Sequence, residues 1–197
     1  MNLKELQAEL ASEEIIDMMK QSKALLEGHF QLRSGLHSDR FFQAALLLQH
    51  PDLAEKTCRQ LARFFNGCQI DCVISPAVGG LIVGHELGRA LGVRAIFADK
   101  DNDKLVLKRG FSITPGEKVL VAEDVITRGG RVQQTIDLAR SFGAEIVGVG
   151  VIVDRSGGQA KFDVPHYSLL QLELETYEPE TCPLCKQGVA LERPGSK

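Results

Sequence analysis

Apolar positions follow two rhythms along this chain, and the two alternate. Val119-Leu120-Val121-Ala122 and the stretch Ile146 to Val153 are almost unbroken apolar runs, with shorter ones at Ile70 to Ile74 and Val93 to Ala98. Between them, apolar residues recur every three or four positions over Leu53 to Phe65, Leu81 to Leu91 and Val132 to Phe142. Continuous runs of strand length predict strands buried on both faces, and the intervening stripes predict amphipathic helices. The order β-α-β-(flap)-β-α-β predicts an α/β fold, a parallel sheet flanked by helices. Tyr167 to Leu174 alternates instead, which predicts an outer strand.

The N-terminal part reads differently. Leu3 to Leu26 carries a helical stripe that changes register at Ala11-Ser12-Glu13-Glu14, where Ser12 suits a second N-cap and Gly28 a helix end. From Gly28 to Phe42, Phe30 and Leu32 alternate with polar residues ahead of a Ser34-Gly35 turn, which predicts a short hairpin. Phe41-Phe42 fits plain core; its closeness to Arg33 opens a second reading, a lid that meets a planar anion. The chain therefore divides into an N-terminal helix and hood (1–50), an α/β core (51–175) and a tail (176–197), with no internal repeat.

Composition adds bounds. With 197 residues, 44% hydrophobic and 25% charged, the chain has the make-up of one soluble domain with a small appendage. A net charge of −3 gives no reason to expect nucleic acid or a membrane surface as partner, and no apolar run reaches the ~18 residues of a membrane span. Met1 to Leu10 is charged and lacks an apolar signal core, so a cytoplasmic protein is expected. Cys58, Cys68 and Cys72 read as reduced core thiols. Cys182-Pro183-Leu184-Cys185 has the spacing of half a tetrahedral zinc site, and three readings stay open: a turn with reduced thiols, a labile disulfide, or a metal shared with a second pair from elsewhere, such as a dimer mate.

The chemistry concentrates where parallel strands end, the edge at which such sheets bind ligands. Four ends stand out: Pro76-Ala77-Val78-Gly79-Gly80, Asp99-Lys100, Glu123-Asp124 with its Thr/Gly turn, and Asp154-Arg155. Gly-rich turns leading into helices offer backbone N–H groups to phosphate, and two such turns suggest two phosphate groups on one ligand. The acidic pair between them suits sugar hydroxyls, or a metal held through the ligand. An ordinary strand-to-helix connection would need a glycine but no Glu-Asp pair. The G-x-x-x-x-G-K-S/T and G-x-G-x-x-G patterns are both missing, which argues against an ATPase and against a dinucleotide-binding oxidoreductase.

The run Val119 to Gly130 resembles the phosphoribosyl pyrophosphate (PRPP) motif of type I phosphoribosyltransferases, and Ser75 to Gly80 resembles their pyrophosphate loop. The hood pattern Gly28-x-Phe30-x-Leu32-x-Ser34-Gly35-x-x-Ser38-x-x-Phe41-Phe42, Arg155 after its strand and the tail Tyr177 to Gly188 resemble the orotate-using members of that family. The resemblance implies transfer of ribose 5-phosphate from PRPP to orotate, giving orotidine 5′-monophosphate and pyrophosphate. It implies that Val125, Ile126, Thr127, Arg128, Gly129, Gly130 and Arg131 cradle the 5′-phosphate, that Glu123 and Asp124 hold the ribose hydroxyls, and that Pro76, Ala77, Val78, Gly79 and Gly80 face pyrophosphate. It also implies orotate contacts from Thr127 and Arg155, with Phe41, Phe42 and Arg33 closing from the hood. Mg²⁺ would be held mainly by PRPP and water rather than by protein ligands. A homodimer is implied in which a lid, 99–111, reaches the neighbouring site with Lys100 acting at pyrophosphate, helped by Lys104, Lys108 and Arg109. This chain departs from the pattern in having no His between Lys100 and Phe111, and in placing Arg128 and Arg131 where smaller residues are usual.

Overall fold

The computed structural model describes residues 13–194 apart from 33 and 103. Six strands form the central sheet in the order β5-β4-β3-β6-β7-β8. They are β3 (Cys72–Pro76), β4 (Arg94–Asp101), β5 (Lys104–Val106), β6 (Lys118–Ile126), β7 (Glu145–Asp154) and β8 (His166–Gln171). All neighbours run parallel except β4 and β5, which form an antiparallel hairpin. The unbroken apolar runs are explained by what covers each face. On one side Leu120 and Ala122 pack with Leu61 and Cys58 of α3 (Pro51–Ala62) and Val83 and Leu87 of α4 (Gly80–Leu91). On the other, Val119, Val121, Val149 and Val151 pack with Val132, Ile136 and Ala139 of α5 (Gly130–Ser141).

Helix α4 lies unusually close to the sheet. A Cβ at Gly84 would stand 2.4 Å from Ser75 Oγ, and one at Gly88 would stand 2.9 Å from the Ala95 Cβ. With Gly80 these residues form an i, i+4 stripe that sets the helix down on β3 and β4, and so fixes its N-terminus beside the end of β6.

The N-terminal part differs from its periodicity. Residues 13–21 are helical (α1), and the chain then turns at Ser22, whose hydroxyl donates to Met18 O at 2.8 Å, and at Lys23, which has φ 59°. Leu25 and Leu26 open a strand, β1 (Leu25–Gln31), so Gly28 lies inside a strand rather than at a helix end. Two leucines in register with a preceding helix cannot reveal that they pair with Phe42 and Phe41 across a hairpin. Ser12, the expected cap, and the rest of 1–12 lie outside the described residues. The predicted hairpin is present as β1 with β2 (His37–Phe42), and α2 (Ala44–Leu48) follows it. Its sheet has a third strand, β9 (Thr176–Tyr177), contributed by the tail. A one-turn helix, α6 (Pro183–Lys186), follows β9, and Glu192 then accepts from Gln31 N–H and donates to His29 O. Hood and tail thus form one layer although about 130 residues separate them in sequence. Cys58 and Cys72 are buried as expected, while Cys68 is exposed.

Candidate functional site

The end of β6, the turn into α5 and the turn into α4 enclose a cleft of about 380 Å³ lined by 76–79 and 123–132. The two Gly turns read separately from sequence therefore face one space. Their glycines are required by close approach. A Cβ at Gly79 would meet Asp124 Oδ2 at 2.9 Å, and one at Gly80 would meet Glu123 Oε1 at 3.0 Å. The acidic pair is packed directly against the N-terminus of α4, and only missing side chains make room for it. The Ala77–Val78 peptide in this turn is cis, and Ala77 N–H donates to Ala98 O at 2.8 Å, tying the loop to β4.

Glu123 is buried and Asp124 half-buried. Asp124 N–H donates to Glu123 Oε1 at 3.1 Å, and Val125 N–H donates to Asp124 Oδ1 at 2.8 Å. Burial raises the Glu123 carboxyl well above its ordinary range, and the adjacent Asp124 charge adds to this; burial raises Asp124 too. The folded, ligand-free chain therefore keeps protons on this pair that the unfolded chain releases near 4.5 for Glu and 3.8 for Asp. More protons bound when folded means that stability falls as pH rises above that range. Melting temperature of the ligand-free chain is expected to decline from about pH 5 to about pH 8, and Glu123→Gln is expected to flatten the decline. An unchanged slope in the variant would show that the pair does not carry this linkage.

Beyond the pair, the turn ends at Gly129, with φ 77°. A side chain there would be strained in its backbone and would press on Phe162 Cζ at 3.0 Å. Helix α5 then starts with no acidic residue in its first turn and no side-chain cap, so its N–H groups stay open to the cleft. Arg128 and Arg131 are exposed and line the same cleft. Cations at a helix N-terminus oppose the helix dipole. Two of them beside uncapped N–H groups make an electropositive pole that suits a multiply charged anion.

The other expected residues are placed as follows. Arg155 follows β7, and its backbone N–H donates to Ile126 O at 2.7 Å, which seats it beside the Thr127 turn. Its Nε is buried with no hydrogen-bond partner, and burial lowers the guanidinium from its ordinary value. Phe42 follows the plain-core reading of the pair and not the lid: it is 7% exposed and belongs to the core with Leu25 and Leu47. Phe41 is half-buried with its ring 5.9 Å from that of Phe30, and neither phenylalanine lines the cleft. Arg33 lies outside the described residues. Lys100 is exposed on the β4–β5 hairpin, opposite Leu105 and away from this chain's cleft lining. Within the same flap Lys108 pairs with Asp101 at 3.2 Å and Arg109 with Asp99 at 3.0 Å, so these cations are engaged locally.

Sequence reasoning missed one grouping. Cys182 and Cys185 meet His29 and His37 of the hood hairpin, all four within 4.8 Å of one another. Only the Cys-x-x-C spacing signalled it, because the histidines lie more than 140 residues away.

Comparisons with known proteins bear on the cleft. Residues 46–180 match the phosphoribosyl transferase domain family. The orotate phosphoribosyltransferase of Desulforamulus reducens is 51% identical over 94% of this chain and 97% of its own length. That of Chlorobium phaeobacteroides is 52% identical over 93% and 95%. Among solved structures, the Mycobacterium tuberculosis orotate phosphoribosyltransferase superposes with TM-score 0.70 at 22% identity, over 82% of this chain and 97% of that one. An adenine phosphoribosyltransferase from Rhodothermus marinus superposes with TM-score 0.63 at 22% identity, over 81% and 99%. Backbone likeness is thus shared by enzymes named for different bases, while the close sequence relatives carry one name.

Proposed function

The chain belongs to the orotate phosphoribosyltransferase family, and on that premise we propose that this cleft transfers ribose 5-phosphate from PRPP to orotate. The products are orotidine 5′-monophosphate and pyrophosphate. The observation that carries the reading is the convergence of two Gly turns and a Glu-Asp pair, Glu123 buried and Asp124 half-buried, on one cleft beside Arg155. The uncapped N-terminus of α5, with Arg128 and Arg131, binds the 5′-phosphate. Glu123 and Asp124 accept hydrogen bonds from the ribose 2′- and 3′-hydroxyls. The turn 76–80 receives pyrophosphate through backbone groups, and Arg155 binds the flat orotate anion by a charge-assisted contact.

Charge dictates the rest. As pyrophosphate leaves C1′, the ribose becomes oxocarbenium-like and positive while the leaving group gains negative charge. The carboxylates, one buried and one half-buried, sit where they stabilise the first, and preorganised charge at a partly desolvated site is strong. As the C1′–O bond to pyrophosphate breaks and the C1′–N bond forms, the proton on the orotate ring nitrogen leaves to solvent or to the departing pyrophosphate, and the ionised orotate carboxylate is the charge that Arg155 meets. The same acids fit a Mg²⁺-bearing diphosphate, because their raised proton affinity marks uncompensated negative charge that cationic or hydroxyl partners would relieve. Bound with PRPP, Mg²⁺ would supply charge neutralisation at the leaving group. The β4–β5 flap extends from the sheet with Lys100 exposed, which fits a homodimer in which it closes over the partner's cleft and excludes water from C1′. A cytoplasmic enzyme of pyrimidine nucleotide synthesis is the role that follows.

The test is direct. The chain with PRPP, Mg²⁺ and orotate is expected to consume orotate absorbance and release pyrophosphate. Turnover with a purine base and none with orotate would overturn the assignment.

A further inference from the structure

We propose that hood and tail are joined by a structural zinc ion held by His29, His37, Cys182 and Cys185. The four ligand atoms converge from two segments far apart in sequence. His29 Nε2 lies 3.0 Å from His37 Nδ1, 3.5 Å from Cys182 Sγ and 3.7 Å from Cys185 Sγ, and Cys185 Sγ lies 3.3 Å from His37 Nδ1. A tetrahedral zinc with Zn–S about 2.3 Å and Zn–N about 2.0 Å places its ligand atoms roughly 3.3–3.8 Å apart. These four separations, 3.0 to 3.7 Å, stand close to that spacing, with all four ligand atoms within 4.8 Å of one another, and two thiols with two imidazoles are a donor set that selects zinc.

A second observation shows a ligating orientation. His29 Nδ1 lies 2.8 Å from Val189 O. A carbonyl only accepts, so Nδ1 carries a proton, and in the neutral ring Nε2 then presents its lone pair to the cluster, the orienting arrangement of metal-bound histidines. Three of the four residues are buried: His29, His37 and Cys182. Four protein ligands leave no open position, so the ion is structural rather than catalytic.

The tail's composition explains the need. Among described residues from 176 onward Cys182 alone is buried, and α6 buries nothing. Strand β9 pairs with β2 at two positions only, His37↔Tyr177 and Ser38↔Thr176. Such a segment has too little apolar surface to hold itself down and calls for a staple. Binding converts two thiols to thiolates and releases about two protons.

The full chain, purified without chelator under reducing conditions, is expected to hold one zinc per chain by elemental analysis. A Cys182→Ser/His37→Ala double variant is expected to hold background levels. Because that variant could lose its fold, the deciding measurement uses the natural sequence. Stripped, reduced protein titrated with Co²⁺ is expected to develop thiolate charge-transfer and tetrahedral d–d bands that saturate at one ion per chain and vanish on adding Zn²⁺. Chelator-treated chain is expected to become cleavable by protease within the tail. Absence of the cobalt spectrum overturns the proposal, as does a native mass two hydrogens short, which marks a Cys182–Cys185 disulfide. Zinc retained in full by a folded double variant overturns it equally. None of these readouts depends on activity of the cleft.

Discussion

Asp124→Asn is expected to lower kcat for orotate by about 10²–10³-fold without lowering the melting temperature. Asparagine fills the same volume, which matters because a Cβ at Gly79 would lie only 2.9 Å from Asp124 Oδ2 and leaves no slack. Its amide oxygen still accepts the Val125 N–H that now reaches Asp124 Oδ1 at 2.8 Å. What disappears is charge. The carboxylate is half-buried beside Glu123, where an interaction with a developing positive ribose is weakly screened. Burial raises its proton affinity in the ligand-free chain, so neutralising it removes a destabilising group from the folded state. Loss of kcat together with an unchanged or higher melting temperature separates a catalytic carboxylate from a structural one. A variant with unaltered kcat would remove Asp124 from the transition state, and one that loses kcat by unfolding would mark the residue as structural.

Arg155→Ala is expected to raise KM for orotate about 10–100-fold, the loss of one charge-assisted contact worth roughly 1.5–3 kcal/mol, while PRPP affinity stays nearly unchanged. The guanidinium is set up for an anion. Its Nε is buried and unpartnered, and burial works against its charge. A half-buried cation whose Nε lacks a partner gains more from an arriving carboxylate than an exposed one does. The backbone bond from Arg155 N–H to Ile126 O holds it beside the turn that begins at Thr127. Arg155→Lys is expected to recover part of the loss, because an ammonium restores charge but not the planar fork. Equal weakening of both substrates would assign Arg155 a structural role.

Much of the cleft was legible because its parts are contiguous in sequence. A buried strand, two acids, a Gly turn and a helix start fall within Val119 to Val132, and each reports its own local physics: unbroken apolarity, charge at a strand end, a residue suited to φ 77°. Arg128 and Arg131 needed the structure. Sequence placed them in the turn, but their meaning depends on an uncapped α5 N-terminus opening into the same cleft. Phe41 and Phe42 divided between two surroundings. Adjacent residues of a strand point to opposite sides: Phe42 entered the core, in keeping with the plain-core reading, while Phe41 stayed with Phe30.

By itself, the sequence determined the alternation of strands and helices, the parallel sheet, and the sheet edge where Pro76–Gly80 and Glu123–Arg131 meet. Those features follow from periodicity and turn chemistry, which act over a few residues. Only the tertiary structure decided that Gly80, Gly84 and Gly88 seat α4 on the sheet, that Leu25 belongs to a strand, and that the tail joins the hood. It alone brought His29 and His37 to Cys182 and Cys185. Such long-range pairings leave no periodic trace, because the partner of each residue is chosen by the packing of the whole chain.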